Sequence, residues 1–284
     1  MRFVFIDAEK ATWPVTVMCW TLQVSPSGYY AWRQRPESAH DREDQRIGVL
    51  IGEAHARSRA TYGSPRVHAV LKAKGIRTSR KRVMRLMKGL GLRGRRPRAF
   101  VRTTDSVPGA AAAADLIGRD FTAVAPNQKW VGDVTSLRTP EGWVYLAVLL
   151  DLYSRRVVGW AVSPVNDRKL ALAALHAALV ARRPPPGWIH HTDRGSPYLS
   201  EEYQKALEAA EARPSNSRRG NCLDNAAVES WNATLKCELG EVFDSLGDAE
   251  RRLFDWIEGF YNPTRLHSAN GDRSPAEYER AGVA

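Results

Sequence analysis

Three acidic residues occur where a carboxylate is unusual, and their spacing could support metal-dependent chemistry. Asp133 lies inside the apolar stretch 130–135, and Asp193 lies at the end of a short predicted strand, two residues after its range of 188–191. Glu229 lies in a predicted helix, with 35 residues between it and Asp193. An unpaired carboxylate inside an apolar strand is costly to bury, so Asp133 should pair with a base or bind a ligand. Carboxylates are the hard oxygen ligands that Mg²⁺ and Mn²⁺ prefer, which predicts a divalent metal site.

Each of these acids, taken alone, also has an ordinary structural explanation. Strand acids often face solvent, an Asp after a strand can cap a helix, and most helical glutamates lie on the surface. Lys236 favours the functional interpretation, because it follows Glu229 by seven residues and so lies two helical turns further on the same face. A metal-binding acid and a phosphate-binding base would then face one substrate.

The pattern around the acids predicts the elements that position them. Apolar stretches joined by short turns predict three strands in an antiparallel meander, followed by a helix, a short strand and a second helix. Residues 215–221 are polar and basic and are predicted to form a mobile loop. The order βββαβα is that of the ribonuclease-H-like fold, an α/β architecture in which acidic residues meet at one edge of the sheet. The predicted strands are 130–137, 143–151, 156–162 and 188–191, and the predicted helices are 169–182 and 200–212.

The N-terminal third of the chain is helical and basic. Residues 57–98 contain 15 of the 42 lysines and arginines and none of the 31 acidic residues. Helical spacing with breaks at 62–65 and 75–79 predicts three short helices that resemble a helix-turn-helix module. Such a segment favours a polyanionic partner, because neutralising phosphates releases condensed counterions. The candidate DNA-binding residues are Arg66, Arg80, Lys81, Arg82, Arg85, Lys88, Arg219 and Lys236.

A change of pattern near residue 100 predicts the domain organisation. Residues 1–100 form the helical DNA-binding module or modules, and residues 101–122 form a linker without amphipathic pattern. Residues 123–284 form the α/β catalytic domain with its C-terminal tail. The composition, 43% hydrophobic and 26% charged residues, is ordinary for a folded protein and argues against global disorder.

The sequence pattern predicts neither a membrane-spanning segment nor a signal peptide. No apolar run approaches the roughly 18 residues of a membrane span. Asp7 and Glu9 interrupt the stretch where a signal peptide would be apolar. The three cysteines are odd in number and lack paired spacing, which suggests neither disulfides nor a zinc site. We therefore expect a cytoplasmic, nucleoid-associated protein.

The motifs around these residues resemble the IS3 family of bacterial insertion-sequence transposases, specifically its second-frame catalytic protein, which is related to retroviral integrases. The resemblance covers nearly the whole chain. The sequence departs from the family pattern at Asn270 and Asp272, where an apolar and an aromatic residue are expected. The matching motifs are residues 25–32, 62–66, 130–135, 191–196, 221–236, 261–262, 265, 267–268 and 274–278.

The resemblance implies a DDE polynucleotidyl transferase with a retroviral integrase-type core. Asp133, Asp193 and Glu229 would be the catalytic triad, and Lys236 would contact the transposon end. Two Mg²⁺ or Mn²⁺ ions would activate the attacking oxygen and stabilise the leaving one. Water would nick one strand, and the released 3′-hydroxyl would attack another phosphodiester. The family also implies that one transposon end is first joined to the other and that a circular intermediate is later integrated.

The expected partners follow from this reaction. They are double-stranded DNA of the transposon ends and of the target, further copies of the chain on that DNA, and an upstream-frame protein or frameshift fusion. Two alternatives stay open: a metal-dependent nuclease of the ribonuclease H type, and a DNA-binding regulator derived from a transposase. The basic module and the helix from Glu229 to Lys236 argue against the first, and three retained carboxylates argue against the second.

Overall fold

The chain begins with three short helices that pack on a small core of their own. The computed structural model describes residues 1–96, 113–218 and 222–282. Ser25 caps the third helix by accepting a hydrogen bond from the Gly28 amide at 3.0 Å, and Pro26 occupies the first helical position. The helices are α1 (Arg2–Glu9), α2 (Val15–Thr21) and α3 (Pro26–Gln34). Their core consists of Ile6, Met18, Cys19 and Tyr29.

A second group of three helices follows and confirms the predicted helix-turn-helix-like arrangement. Ile47, Ile51 and Ala54 recur at helical spacing on the first of them and are buried against the other two. Ser79 caps the last helix by accepting a hydrogen bond from the Arg82 amide at 3.1 Å. The helices are α4 (Ala39–Arg57), α5 (Ser64–Ala73) and α6 (Arg80–Gly89).

A five-stranded mixed sheet forms the centre of the C-terminal half. Its strand order is β3-β2-β1-β4-β5, with β1, β2 and β3 antiparallel and with β4 and β5 parallel to β1. The predicted meander is therefore confirmed. The strands are β1 (Lys129–Thr139), β2 (Gly142–Asp151), β3 (Val157–Ser163), β4 (Ile189–Thr192) and β5 (Arg213–Asn216).

The fifth strand corrects one prediction. Residues 215–221 were expected to form a mobile loop, but Ser215 and Asn216 belong to β5 and pair with His191 and Thr192. Edge pairing with β4 satisfies the backbone groups of this polar stretch, so it needs no apolar alternation to become a strand. Residues 219–221 lie outside the described residues.

Helices cover both faces of the sheet. On one face, α7 packs so closely on β3 that a Cβ atom on Gly159 would lie 2.4 Å from the Ala174 carbonyl oxygen, which explains a glycine there. On the other face, α9 and α10 bury Trp231 and Trp256 against β1 and β2. The remaining helices are α7 (Arg168–Arg182), α8 (Glu201–Ala209), α9 (Ala226–Leu239), α10 (Leu246–Trp256), α11 (Asn262–Thr264) and α12 (Pro275–Gly282).

The helices α4 to α6 share one apolar cluster with the second face of the sheet, and this cluster includes Tyr62, Ile257 and Phe260. Two polar contacts reinforce this packing. Arg59 forms an ion pair with Asp255 and lies over the Phe260 ring, and the Tyr62 hydroxyl accepts a hydrogen bond from the Leu266 amide at 2.6 Å. The basic helices are therefore docked on the α/β core within the described chain.

Residues 113–122, which we call the strap, lie along the core although the sequence predicted a linker at 101–122. The Ala113 and Leu116 amides donate to the side chains of Asn216 and Ser215, each at 2.9 Å. Ile117 is buried in the main apolar cluster. Residues 97–112 of the predicted linker lie outside the described residues.

The C-terminal tail shows how the chain accommodates its departure from the family pattern. Asn270 is buried, and its side-chain amide donates to the Ser154 carbonyl oxygen at 2.6 Å. Asp272 is exposed and adopts a positive φ of 58°. Hydrogen bonding thus replaces the apolar packing expected at position 270. Within the described residues, no helix is long and apolar enough to cross a membrane.

Candidate active site beside two parallel strands

Asp133 lies in the middle of the sheet, one residue beyond the point where β1 pairs with the end of β4. Gly132 pairs with Thr192 in parallel register, so Asp133 and Asp193 follow the same rung of the sheet. The Asn232 side-chain amide donates to Asp133 Oδ2 at 2.7 Å. Burial raises the pKa of Asp133 well above its usual range, and the charges of Asp193 and Glu229 raise it further.

Asp193 is held by the turn that follows β4. The Gly195 amide donates to Asp193 Oδ1 at 2.9 Å and fixes the side chain in a half-buried position. Burial raises the pKa of this carboxyl group, and the Gly195 hydrogen bond opposes the rise. The carboxylate therefore lies beside Asp133 without being sealed in the core.

Glu229 occupies the first turn of α9 and faces these two aspartates. Val228, Trp231 and Leu235 are buried from the same helix, which leaves Glu229 half-buried at the edge of the packed face. Burial raises the pKa of Glu229, and the charge of Asp193 adds to the rise. The side chains of Asp133, Asp193 and Glu229 thus influence one another electrostatically.

The three carboxylates carry charge that the described chain does not offset. In residues 1–96, 113–218 and 222–282, no Lys, Arg or His nitrogen lies within 4.0 Å of Asp133, Asp193 or Glu229. As the side chains stand, the same residues contain no group of three or more His, Cys, Asp or Glu that could hold a metal ion. The mutual repulsion of neighbouring carboxylates is offset either by protons, which the raised pKa values reflect, or by a bound cation, and hard carboxylate oxygens suit Mg²⁺ or Mn²⁺. The chemistry of the donor set, though not a preformed geometry, therefore fits a divalent ion.

Sequence reasoning missed Asn232. It follows Glu229 by three residues and precedes Lys236 by four, so all three lie on one face of α9. Its hydrogen bond to Asp133 links α9 directly to β1 across 99 residues of sequence. The helical spacing of Glu229 and Lys236 was the signal that could have identified it.

The two histidines that precede Asp193 do not reach the acids as bases. His190 Nε2 lies 2.7 Å from the Tyr203 hydroxyl, and His191 Nδ1 lies 2.8 Å from Ser215 Oγ. Both rings are buried, and burial lowers the pKa of His190 to about 3. His190 is therefore a neutral core residue at physiological pH, and burial also lowers the pKa of His191.

The predicted DNA-binding residues do not share one environment. Arg80, Lys81, Arg85 and Lys88 are exposed along α6. Arg82 is half-buried, and both Arg82 and Arg85 bind Asp44 of α4, at 2.6 and 2.5 Å. An acid outside the basic segment thus offsets part of its charge, which no local pattern could predict.

Three further candidates lie elsewhere. Arg66 stacks over the Tyr62 ring, 5.6 Å from its centroid, and burial lowers the pKa of its guanidinium. Lys236 is half-buried on the site face of α9 and forms no ion pair within the described residues. Arg219 lies outside the described residues. Lys236 therefore shares the helix α9 with Glu229 and Asn232, whereas the exposed basic residues of α6 belong to the helical module.

Family models match most of the chain. Residues 123–222 and 210–275 match two models described as "Integrase core domain", and residues 42–100 match one described as "HTH-like domain". With the mixed sheet and the three neighbouring acids, these matches define the class of protein. It is an α/β protein with a ribonuclease-H-like integrase core, and it is a DDE polynucleotidyl transferase.

Curated relatives identify the family. The chain is 40% identical to the transposase InsF for insertion sequence IS3A of Escherichia coli strain K12, over 288 aligned residues and 100% of both chains. It is 41% identical to the insertion element IS600 uncharacterized 31 kDa protein of Shigella sonnei, covering 92% of this chain and 97% of that one. The chain belongs to the IS3 family of insertion-sequence transposases, and it is a DNA transposase.

Solved structures of retroviral proteins are similar to the chain. The simian T-cell lymphotropic virus intasome, in complex with PP2A regulatory subunit B56 gamma, matches with a TM-score of 0.48 and 17% identity, covering 81% of this chain and 74% of that one. The HTLV-2 integrase catalytic core domain in complex with magnesium matches with a TM-score of 0.40 and 20% identity, covering 55% and 97%.

Proposed function

We propose that Asp133, Asp193 and Glu229 are the catalytic residues of this transposase and that together they bind two Mg²⁺ or Mn²⁺ ions. The observation that carries the proposal is their convergence as half-buried carboxylates with raised pKa values and no neighbouring cation in the described chain. Bound ions would supply activation of the attacking oxygen and stabilisation of the leaving oxygen. Asn232 orients the Asp133 carboxylate, and Lys236 holds a DNA phosphate beside it.

The proposed reaction consists of two phosphoryl transfers. In the first, the oxygen of water attacks a phosphorus atom at the transposon end, and the bond to the 3′-oxygen breaks, which releases a 3′-hydroxyl. In the second, that 3′-hydroxyl attacks another phosphodiester and displaces the 3′-oxygen of the attacked strand. Protein side chains bind and orient the strands and form no covalent bond to them.

The proposed DNA contacts divide between two surfaces. Arg80, Lys81, Arg85 and Lys88 on α6 would bind the transposon end, while Lys236 on α9 and also Arg219 would contact DNA in the catalytic domain. Arg66 and Arg82 would support the first surface from within the helical module. Because two ends must be brought together, we also propose that several copies of the chain assemble on the DNA.

The domain boundaries and the site of action are part of the same proposal. Residues 1–100 would bind DNA, residues 101–122 would connect the domains, and residues 123–284 would carry out catalysis. Chromosomal DNA as substrate implies action at the nucleoid in the bacterial cytoplasm. An upstream-frame partner or fusion stays a prediction.

The test uses labelled duplexes taken from the two ends of the element that encodes the chain. With Mg²⁺, the full chain should nick the ends and form joined products, and Asp133→Asn, Asp193→Asn and Glu229→Gln should each abolish both while leaving end binding intact. Glu201→Gln is the matched control, because Glu201 is an exposed acid on α8 whose side chain pairs with Lys205.

Each contrary result identifies an alternative. Nicking without any joined product would favour the ribonuclease-H-type nuclease. End binding without metal-dependent cleavage in the unmodified chain would favour the DNA-binding regulator. Full activity of all three variants would refute the assignment of the carboxylates.

A further inference from the structure

A fourth acid, Asp224, is buried a few residues before Glu229 and is not among the proposed catalytic residues. It lies in the short 3₁₀ turn Cys222–Asn225 that leads into α9, and its side chain has 0% exposure. Arg119 Nε donates a hydrogen bond to Asp224 Oδ1 at 2.9 Å. Arg218 donates through its amide and Nε to Oδ2, at 3.1 and 2.8 Å, and through Nη2 to Oδ1 at 2.8 Å. Both carboxylate oxygens are therefore occupied.

These contacts join three separate parts of the chain at one point. Arg119 comes from the strap, Arg218 follows β5, and Asp224 precedes α9. The strap itself is tied to β5 through the hydrogen bonds of Ala113 and Leu116. We call the Arg119, Arg218 and Asp224 contacts the clamp.

The clamp is connected to Asp133 through the next residue. Asn225 is buried, and its side-chain amide donates to the Gly132 carbonyl oxygen at 3.2 Å. Gly132 directly precedes Asp133 in β1. The start of α9 is therefore fixed to β1 beside the catalytic rung of the sheet, and Glu229 follows one turn of helix later.

The electrostatics of the clamp explain why it holds. A buried carboxylate is costly unless it is paired and fully hydrogen-bonded, and two guanidinium groups satisfy both conditions here. These arginines hold the pKa of Asp224 well below its usual range, so the carboxylate stays charged at physiological pH. Removing either partner would leave part of a buried charge uncompensated and would free the start of α9 to shift.

We propose that Asp224 is a positioning residue, and that its clamp by Arg119 and Arg218 fixes the start of α9 so that Glu229 lies opposite Asp133 and Asp193. The inference rests on the proposed catalytic role of Glu229. Asp224 contributes by geometry, because an acid that must share a metal ion with two others has to be placed within a fraction of an ångström.

The experiment substitutes the two arginines of the clamp in the full-length chain. Asp224 itself is left unchanged, because Asp224→Asn risks unfolding the chain. The side chains of Arg119 and Arg218 are 45% and 57% exposed, so Arg119→Ala and Arg218→Ala are expected to fold. Urea unfolding, end-DNA affinity, cleavage rate and the Mg²⁺ concentration for half-maximal cleavage are measured for each. Arg213→Ala is the matched control, because Arg213 is an exposed arginine on β5 outside the clamp.

Arg119→Ala and Arg218→Ala should keep end affinity within about twofold, while the half-maximal Mg²⁺ concentration rises by about tenfold, as for other residues that orient metal ligands. Arg119→Lys should restore part of the Mg²⁺ response, since it keeps one cation against Asp224. Arg213→Ala should behave like the unmodified chain.

Two results would overturn the clamp. One is an unchanged Mg²⁺ response in folded Arg119→Ala and Arg218→Ala; the other is a cleavage defect that follows lost end affinity, which would identify the arginines as phosphate contacts. Glu229→Gln, assayed in parallel, separates this inference from the proposed function. If Glu229→Gln still cleaves, the role of Glu229 is wrong; if it is inactive while the clamp variants respond normally to Mg²⁺, only the clamp is wrong.

Discussion

At the scale of single residues, the site depends on small groups that hold the acids rather than on the acids alone. Gly195 donates its amide to Asp193, and Asn232 donates its side chain to Asp133. Both donors favour the ionised form of the carboxylate that accepts the hydrogen bond, which opposes the effect of burial. Substitution of these neighbours should therefore lower cleavage, although by less than substitution of the acids that they orient.

Gly195→Ala tests this sensitivity next to Asp193. An added Cβ atom would lie 3.0 Å from Asp193 Oδ1, closer than ordinary contact, so the carboxylate must move. We expect cleavage to fall by about tenfold with end-DNA affinity unchanged, as for other residues that orient a metal ligand. Gly247→Ala is the control, because nothing lies within 4 Å of its added Cβ atom. Equal cleavage rates for both variants would contradict the prediction.

Asp151, which ends β2 and pairs with Trp130 of β1, makes folding stability depend on pH. Burial raises its pKa to about 6 from a usual value of 3.8, although the Asn127 and Tyr153 amides and Arg182 oppose the rise. The folded protein therefore holds a proton that the unfolded chain releases between these values. Stability from this group is complete below pH 3.8 and is lost as the pH rises towards 6, by about 3 kcal/mol.

The measurement compares urea unfolding of the unmodified chain and Asp151→Asn from pH 4 to pH 8. The free energy of unfolding of the unmodified chain should fall relative to the variant between about pH 4 and 6 and run parallel above it. Carboxylates that do not interact with Asp151 contribute equally to both proteins and cancel in the difference. Parallel curves over the whole range would show that Asp151 does not hold the proton.

At the scale of elements, α9 is fixed at both ends by parts of the chain that are distant in sequence. The clamp holds its start. At its end, Arg95 donates to the Glu238 carbonyl oxygen at 2.7 Å, where helix carbonyls lack internal partners. Glu238 itself forms a buried ion pair with Arg265 at 2.7 Å. The helix that carries Glu229 and Lys236 is therefore a rigid support in contact with the basic module.

Tyr62→Phe tests the docking of that module on the core. The Tyr62 hydroxyl is the acceptor for the Leu266 amide, and Tyr62 is only 3% exposed. Its removal leaves a buried N–H group without a partner, which should reduce the free energy of unfolding by about 1–3 kcal/mol. Chemical denaturation measures the change, and Tyr30→Phe on exposed Tyr30 should cost nothing measurable. A loss no larger than that of the control would mean that apolar packing alone holds the module.

At the scale of the whole molecule, charge is unevenly distributed between the helical module and the core. The net charge of +11 arises largely from the lysines and arginines of residues 57–98. In the structure, some of these side chains are exposed to solvent, and others form ion pairs with an acid. Lys81 and Lys88 are exposed on α6, whereas Arg82 is held by Asp44. Exposed lysines and arginines release counterions from DNA when they neutralise phosphates. Side chains that already form an ion pair release fewer counterions.

The salt dependence of end-DNA binding measures this division. Lys81→Ala and Lys88→Ala should each reduce the slope of log affinity against log salt concentration by about one. Arg82→Ala should leave the slope nearly unchanged, because its charge is already offset. Lys205→Ala is the control, since this exposed lysine on α8 pairs with Glu201. Slopes that fall equally for Lys81→Ala and Arg82→Ala would contradict the division.

The sequence by itself determined the helices and strands that have a clear local pattern of apolar, polar and turn residues. Alternation and turns predicted the meander of β1, β2 and β3, and helical spacing predicted α4 to α6, because local periodicity follows from which face is buried. Asp133, Asp193 and Glu229 were recognisable from their motifs and spacing. The concentration of bases in residues 57–98 was visible without any structure.

Only the tertiary structure decided the contacts that complete the site. The hydrogen bond from Asn232 to Asp133 joins residues 99 positions apart, and the Arg119 contact with Asp224 joins residues 105 positions apart. The strand β5 forms because β4 offers an edge to a polar segment, and Asp44 neutralises Arg82 because α4 packs against α6. Local pattern records which side of an element is buried, but the partner that a buried polar group meets depends on how the elements pack.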